Sequence, residues 1–138
     1  MIDSTQLLVG DWTFKHFYPS NKKPGTDEVS VFDGKFQQNK GQFTFSSKKS
    51  DEGEYLFARM TVNNDLATGV MHEHTSPKKE FKGAIYTSAF QGLLNKDCDK
   101  INGKWVGVGN DSGKRKIYTG KFTLEKHDSN HDLLTLSE

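Results

Sequence analysis

Three consecutive residues and one distant histidine have the types and spacing that a metal site requires. On a strand, His72 and His74 lie on one face, two residues apart, with Glu73 between them on the other face. Zinc or nickel binds such a pair when a third ligand approaches, and His16 is the candidate third ligand. The alternative interpretation is a solvated strand end before the loop at 75–79. We favour that alternative and predict no metal site.

Motifs for covalent or acid–base catalysis are missing from the sequence. It contains no Gly-x-Ser-x-Gly elbow, no P-loop and no His-Glu-x-x-His helix. The single cysteine, Cys98, lies between Asp97 and Asp99, and two neighbouring carboxylates disfavour the reactive thiolate. We therefore predict that the protein is not an enzyme, that it uses no cofactor and that Cys98 is inert.

Basic and aromatic residues are concentrated near the C-terminus. The stretch 97–126 contains seven Lys or Arg residues and four Asp or Glu residues, together with Trp105 and Tyr118. Such a combination suits a phosphorylated ligand with bases, because cations bind phosphate while aromatic rings stack on bases. The alternative is a solvated strand face on which lysines keep an edge soluble. The residues alone favour the alternative.

Two further sites depend on which way a strand faces. Tyr86, Thr87 and Ser88 place hydroxyls on both faces of one strand, and inward hydroxyls would need partners that a bound ligand can supply. Arg59 poses the same question, because it would need an anion if it faced inward and none if it faced outward. Apolar residues occupy both faces of this strand, so the sequence leaves its orientation open.

The elements that must position these residues are strands. Residues Trp12, Phe14, His16 and Tyr18 alternate with polar ones, which is typical of a half-buried strand. The same period and intervening turns predict eight strands: 10–18, 29–38, 42–47, 54–62, 66–74, 80–94 and the two arms of a hairpin within 101–126. The second strand is expected to bulge or turn a barrel corner at Gly34.

The predicted fold class is all-β, a single eight-stranded antiparallel up-and-down β-barrel. Closure removes the exposed edges that an open sheet of eight strands would have, and such a barrel can hold one small ligand. A β-sandwich is the second choice. We expect the ligand-binding barrel to span 8–126, with residues 6–9 forming a brief helical turn or capping one end of the barrel. The tail at 127–138 is expected to be a short helix or disordered.

Composition narrows the classes of partner and location. The 138 residues carry a formal net charge of +1, which argues against a DNA- or RNA-binding surface over the whole protein. Neither a signal peptide nor an apolar run of membrane-spanning length is visible. With one cysteine, the chain has no internal disulfide. We expect a cytoplasmic protein.

Several short motifs, here called glycine–aromatic steps, have a glycine two residues before an aromatic residue, and they resemble motifs of two known families. Gly10-Asp11-Trp12 resembles the start of strand one in the calycins, which include lipocalins, fatty-acid-binding proteins and avidin-like barrels. In lipocalins a late arginine packs over that tryptophan, and Arg115 is the residue that would correspond. The lipocalin disulfides and secretory signal are absent, which argues against a secreted carrier.

The second resemblance lies in the C-terminal pattern Gly103-Lys-Trp105, Arg115 and Gly120-Lys-Phe122-Thr-Leu124. It is similar to the β-barrel receptor domain of two-transmembrane effectors in bacterial CBASS anti-phage systems. This implies binding of a cyclic dinucleotide and ligand-driven oligomerisation. In that family the barrel lies on the cytoplasmic face of the inner membrane. The present chain departs from the family because it has no transmembrane helix, as expected of a barrel cut from a longer protein.

The main functional hypothesis is therefore a barrel that senses a cyclic nucleotide. In this hypothesis three cations bind phosphate, three aromatic residues stack on bases and two hydroxyls complete the site: Arg59, Arg115, Lys116, Tyr18, Tyr86, Trp105, Ser88 and Thr119. The alternative is an intracellular carrier of an apolar ligand, with a cavity lined by Phe14, Phe43, Phe45, Phe57 and Phe90. A barrel with a filled interior, acting as an interaction module, is a further alternative.

Overall fold

The computed structural model describes residues 4–20, 23–76, 85–111, 113–128 and 130. These form one short helix, α1 (Ser4–Leu8), and eight strands: β1 (Gly10–Pro19), β2 (Asp27–Asn39), β3 (Gln42–Ser47), β4 (Tyr55–Asn63), β5 (Leu66–His74), β6 (Ile85–Leu94), β7 (Lys100–Asp111) and β8 (Lys114–Lys126). The predicted start of the sixth strand at 80–84, and a helix or disorder over 131–138, fall outside the described residues.

The strands form one closed antiparallel barrel, so the predicted fold class is confirmed. Each strand pairs with the next along the chain. The barrel closes where β1 pairs with β8, from Trp12 opposite Lys126 to His16 opposite Phe122. Closure leaves no strand at an edge, which removes a common route to aggregation.

Alternation along each strand decides which side chains face the interior. On β1 the buried residues are Trp12, Phe14 and His16, as the sequence pattern predicts. On β4 the buried residues are Leu56, Ala58 and Met60, so Arg59 faces outward and is exposed. The sequence left the orientation of this strand open, and the structure shows that Arg59 does not face the interior.

Aromatic side chains fill one half of the interior. The Phe14 ring lies 5.6 Å from that of Phe122 and 5.8 Å from that of Phe45, measured between centroids. Phe90 packs edge-on against Phe122 at 5.0 Å. Because aromatic residues bury large areas and pair favourably in these geometries, this cluster is the main apolar core of the barrel.

The glycine–aromatic steps of the sequence are reciprocal cross-strand pairs. Gly103 lies opposite Phe122, and Trp105 lies opposite Gly120. The steps on β1 and β2 pair in the same way, with Gly10 opposite Phe36 and Trp12 opposite Gly34. A Cβ at Gly103 would come within 2.7 Å of the Phe122 ring, so the glycine provides the space that the ring occupies.

Gly34 does not form the predicted bulge. The register between β1 and β2 runs through Trp12 and Gly34 without interruption. The pairing of β2 with β3 begins at this glycine, where a Cβ would lie 2.7 Å from the Cα of Ser47. The missing side chain therefore lets a third strand approach closely.

The helix α1 covers the aromatic half of the barrel, as the expected helical turn at 6–9 suggested. The indole nitrogen of Trp12 donates a hydrogen bond to the Leu8 carbonyl at 2.8 Å. The Leu7 carbonyl accepts bonds from Lys126 Nζ at 2.7 Å and from Asn130 Nδ2 at 3.2 Å. Buried Asn130 thus ties residues beyond β8 to the closed end.

The lipocalin-like role expected of Arg115 is wrong. Lys126, at the opposite end of β8, is the cross-strand partner of Trp12. Arg115 pairs with Asn110 beside the β7–β8 turn, at the other end of the barrel.

Candidate functional site

The end of the barrel opposite α1 contains a cavity of about 260 Å³. The cavity is formed by the ends of β1, β5 and β7 and the beginnings of β2, β6 and β8. Among the described residues its lining is aromatic, hydroxyl-bearing or acidic: His16, Tyr18, Pro19, Ser30, Glu54, Glu73, Thr75, Ser76, Tyr86, Ser88, Trp105, Gly107, Val108, Gly109 and Tyr118. Such a concave site with polar groups is the usual form of a small-molecule site.

His16 and Glu73 meet across the cavity. His16 Nδ1 lies 3.3 Å from Glu73 Oε2, and the His16 ring packs edge-on against Trp105 at 4.5 Å. Although His16 is only 6% exposed, neither ring nitrogen has a hydrogen-bond partner among the described residues. The contact with Glu73 is close but is not aligned as a hydrogen bond. Two buried polar atoms therefore remain unsatisfied at this site.

Trp105 is held rigidly in the cavity wall. Its indole nitrogen donates a 2.7 Å hydrogen bond to the Phe17 carbonyl. The ring covers Gly120, where a Cβ would approach Trp105 Nε1 to 2.6 Å. The only donor of the side chain is therefore used within the protein, and Trp105 offers the cavity its aromatic ring.

Two glycines of β7 make room beside the cavity. A Cβ at Gly107 would lie 2.5 Å from Ser88 Oγ, and one at Gly109 would lie 2.9 Å from the Tyr118 ring. Both positions therefore depend on the absence of a side chain. The two glycines leave room for the side chains of Ser88 and Tyr118, which line the cavity.

Half of the eight residues predicted to bind a ligand line this cavity. They are Tyr18, Tyr86, Ser88 and Trp105. They come from β1, β6 and β7, and the closed topology brings them together. Tyr86 and Ser88 face the cavity from β6, an orientation that the sequence left open.

The other four predicted residues lie elsewhere. Arg59 faces outward on β4, with its guanidinium 5.6 Å from the Phe57 ring centroid. Arg115 is exposed, on the face of β8 opposite to Tyr118. Thr119 also lies on that outer face, and its hydroxyl donates to the Trp105 carbonyl at 2.8 Å. Lys116 is exposed on the same face as Tyr118, with Nζ 5.7 Å from that ring centroid.

The histidine pair weighed as a metal site points away from the cavity. His72 Nδ1 lies 3.0 Å from Thr87 Oγ1, and the His74 ring stacks on Tyr55 at 3.9 Å. His16 faces inward, so it does not complete this pair. Within the described ranges, no group of three or more His, Cys, Asp or Glu side chains is arranged to hold a metal ion.

Sequence reasoning missed Glu73 as a cavity residue. It treated the acidic residue as a spacer between two histidines, whereas Glu73 is the one that faces inward. The signal was present, because Glu73 has the same alternation as buried Ala67 and Met71. A polar residue on an otherwise apolar face indicates a functional position or a satisfied core group.

The five phenylalanines proposed to line an apolar cavity do not border it. Phe14, Phe43, Phe45 and Phe90 are buried in the core cluster, and Phe57 lies on the outer face of β4 beneath Arg59. The cavity is instead lined by other residues, among them Tyr18, Tyr86 and Trp105.

Cys98 is protected from reaction. Burial raises the pKa of its thiol, the carboxylates of Asp99 and Asp97 raise it further, and Lys126 opposes them. With the pKa above its ordinary value, less thiolate exists at pH 8 than in the unfolded chain. We expect the folded protein to react with a disulfide reagent several-fold more slowly than the urea-unfolded protein. Cys98→Ser serves as the blank, and equal rates would contradict the prediction.

In comparisons with known proteins, no protein-family model, no curated protein and no solved structure matches the chain. The likeness to calycins is therefore one of barrel architecture. Across the described ranges, no helix has the length and apolar character needed to cross a membrane.

Proposed function

We propose that the protein is a receptor for a small molecule that binds in the open end of the barrel. The observation that carries this proposal is buried His16, whose two ring nitrogens lack hydrogen-bond partners beside a cavity. Leaving a buried polar group unsatisfied costs about 1–3 kcal/mol, which a ligand that supplies the missing bonds recovers. The protein needs no nucleophile for this role.

The proposed ligand is a nucleotide of the cyclic dinucleotide class. Trp105, Tyr18, Tyr86 and Tyr118 offer rings on which a base stacks, and Ser88 offers a hydroxyl. Drug-sized ligands occupy sites of about 300–1,000 Å³, so a cavity of about 260 Å³ suits one base rather than a whole dinucleotide. The rest of the ligand then lies at the mouth.

Phosphate groups at the mouth would lie near Lys116. This exposed lysine belongs to the strand face that carries Tyr118, and its ammonium lies beside that ring. The arrangement supports a ligand whose base is inside and whose anionic part is outside. The resemblance to CBASS receptor barrels adds ligand-driven oligomerisation at the cytoplasmic face of a membrane to the proposal.

Calorimetric titration with a panel of cyclic di- and trinucleotides tests this function directly. We expect saturable heat from at least one of them, and a thermal shift of the protein with the same compound. The proposal fails if no compound in the panel produces either heat or a thermal shift.

Two variants test where such a nucleotide binds. Tyr118→Ala removes a ring of the cavity wall, so we expect the affinity to fall roughly 5- to 150-fold, the usual effect of about 1–3 kcal/mol per stacked base. Arg115→Ala is the matched control on the same strand, and its outward side chain predicts unchanged affinity. The opposite pattern, with Arg115→Ala weakened and Tyr118→Ala unaffected, would place the ligand on the outer face of the hairpin.

A further inference from the structure

The inner part of the cavity has a distinct chemical character. Glu73 and the unsatisfied nitrogens of His16 lie together there, and the Glu73 side chain is 18% exposed. No described residue donates a hydrogen bond to the Glu73 carboxylate. A carboxylate that is largely withdrawn from water requires donors or a positive charge nearby.

Among the described residues that line the cavity with Glu73, none is a lysine or arginine. Lys116 is exposed on the strand face that carries Tyr118, and its ammonium lies 5.7 Å from the centroid of that ring. The cavity therefore favours a positive or donor-rich group inside and an anionic group outside.

The aromatic side chains in the lining favour a flat group in the inner cavity. The Trp105 ring is fixed by its bond to the Phe17 carbonyl and adds no donor. Tyr18, Tyr86 and Tyr118 add further rings to the lining. Flat groups stack on such rings, and a positive charge is attracted to their faces.

We infer that the cavity recognises the edge of a planar ring that carries two adjacent N–H donors, as in an amidine or an amino-substituted heterocycle. The Glu73 carboxylate accepts both hydrogen bonds in a bidentate pair, and His16 contacts the same edge. This inference rests on the proposed ligand-binding function and names the chemical group of the ligand that binds in the inner cavity.

A series of three small probes tests the inference, because they share one ring and differ only in the attached group. Benzamidine presents two N–H donors and a positive charge, benzamide is its neutral relative, and benzoate is an anion. We expect benzamidine to bind at least tenfold more tightly than benzamide, and benzoate not to bind. The indole N–H resonance of Trp105 reports binding, and that of Trp12, buried at the closed end, is the internal control.

Two glutamate variants locate the effect. Glu73→Gln keeps the size of the side chain but replaces one acceptor by a donor, so we expect benzamidine binding to weaken at least tenfold. Glu125→Gln is the control, because Glu125 lies on the outer face of β8 near Lys100; we expect no change. Circular dichroism checks that both variants fold. The three probes on the unaltered protein decide the question even if Glu73→Gln does not fold.

Several results would overturn the inference. They are equal binding of benzamidine and benzamide, binding of benzoate, no binding of any probe, or unaltered benzamidine affinity in folded Glu73→Gln. The last result would leave the contact between His16 and Glu73 with a structural role only. If cyclic dinucleotides bind while the probes fail, the receptor function stands and only this recognition mode is rejected.

Discussion

Gly103→Ala will lower the free energy of unfolding by about 3 kcal/mol, the upper end of the usual cost of overpacking. The added Cβ would lie 2.5 Å from the Cα of Gly92 and 2.7 Å from the Phe122 ring. The Gly92 contact is with backbone on the neighbouring strand, so relief requires β6 and β7 to separate. Phe122 is fully buried and cannot turn into solvent.

Gly41→Ala is the matched control, because it isolates the cost of backbone conformation. Gly41 has a φ of 81° in the β2–β3 turn, and a Cβ there meets no atom within 4 Å. The left-handed backbone then costs about 1 kcal/mol without any steric clash. Urea unfolding followed by circular dichroism measures both variants. We attribute the requirement for glycine at position 103 to the close approach of the strands and not to backbone conformation. Equal losses of stability in Gly103→Ala and Gly41→Ala would contradict this explanation.

Trp12→Ala will have the second large effect, a loss of about 3–5 kcal/mol. The side chain is fully buried, packs edge-on against Phe36 at 5.4 Å and holds the Leu8 carbonyl of α1. Truncation leaves a cavity between the helix and the barrel and removes the partner of that carbonyl.

Trp12→Phe separates the two contributions. It keeps a ring against Phe36 but loses the indole hydrogen bond, whose net value is about 1 kcal/mol. Thermal and urea unfolding give the two losses of stability. If Trp12→Phe is as destabilising as Trp12→Ala, the bond to Leu8 matters more than the ring volume, and our account of the cap is wrong. Trp105 emission reports in both variants whether the open end is unchanged.

The fold was predictable where one face of a strand was clearly apolar. On β1 the alternation of Trp12 and Phe14 with polar residues gives the orientation directly. On β4 the alternation does not give the orientation, because Phe57 lies on the outer face, half-buried beneath Arg59. Phe57 can lie on the outer face because the stem and guanidinium of Arg59 partly cover its ring. The sequence of this outer face therefore resembles that of a buried face.

The candidate site was predictable only in part, for a different reason. Alternation places Tyr86 and Ser88 on the same face of one strand, but it did not decide whether that face lies inside the barrel. The side chains of His16 and Glu73 are in contact although they belong to β1 and β5, which are not neighbours in the sheet. Such a contact depends on the diameter of the barrel and on the register of every strand between them. No local pattern encodes those quantities.

The pairing of β1 with β8 has a consequence for how the protein folds. It comprises five residue pairs and joins Trp12 to Lys126, 114 positions further along the chain, whereas β7 and β8 share twelve pairs around one turn. The loop-closure entropy of such a long-range contact delays it relative to the hairpins. His16 lies at one end of these five pairs, opposite Phe122. We therefore expect the part of the cavity around His16 to be assembled last, so that a chain with every hairpin formed lacks the complete cavity until the ends of the sheet meet.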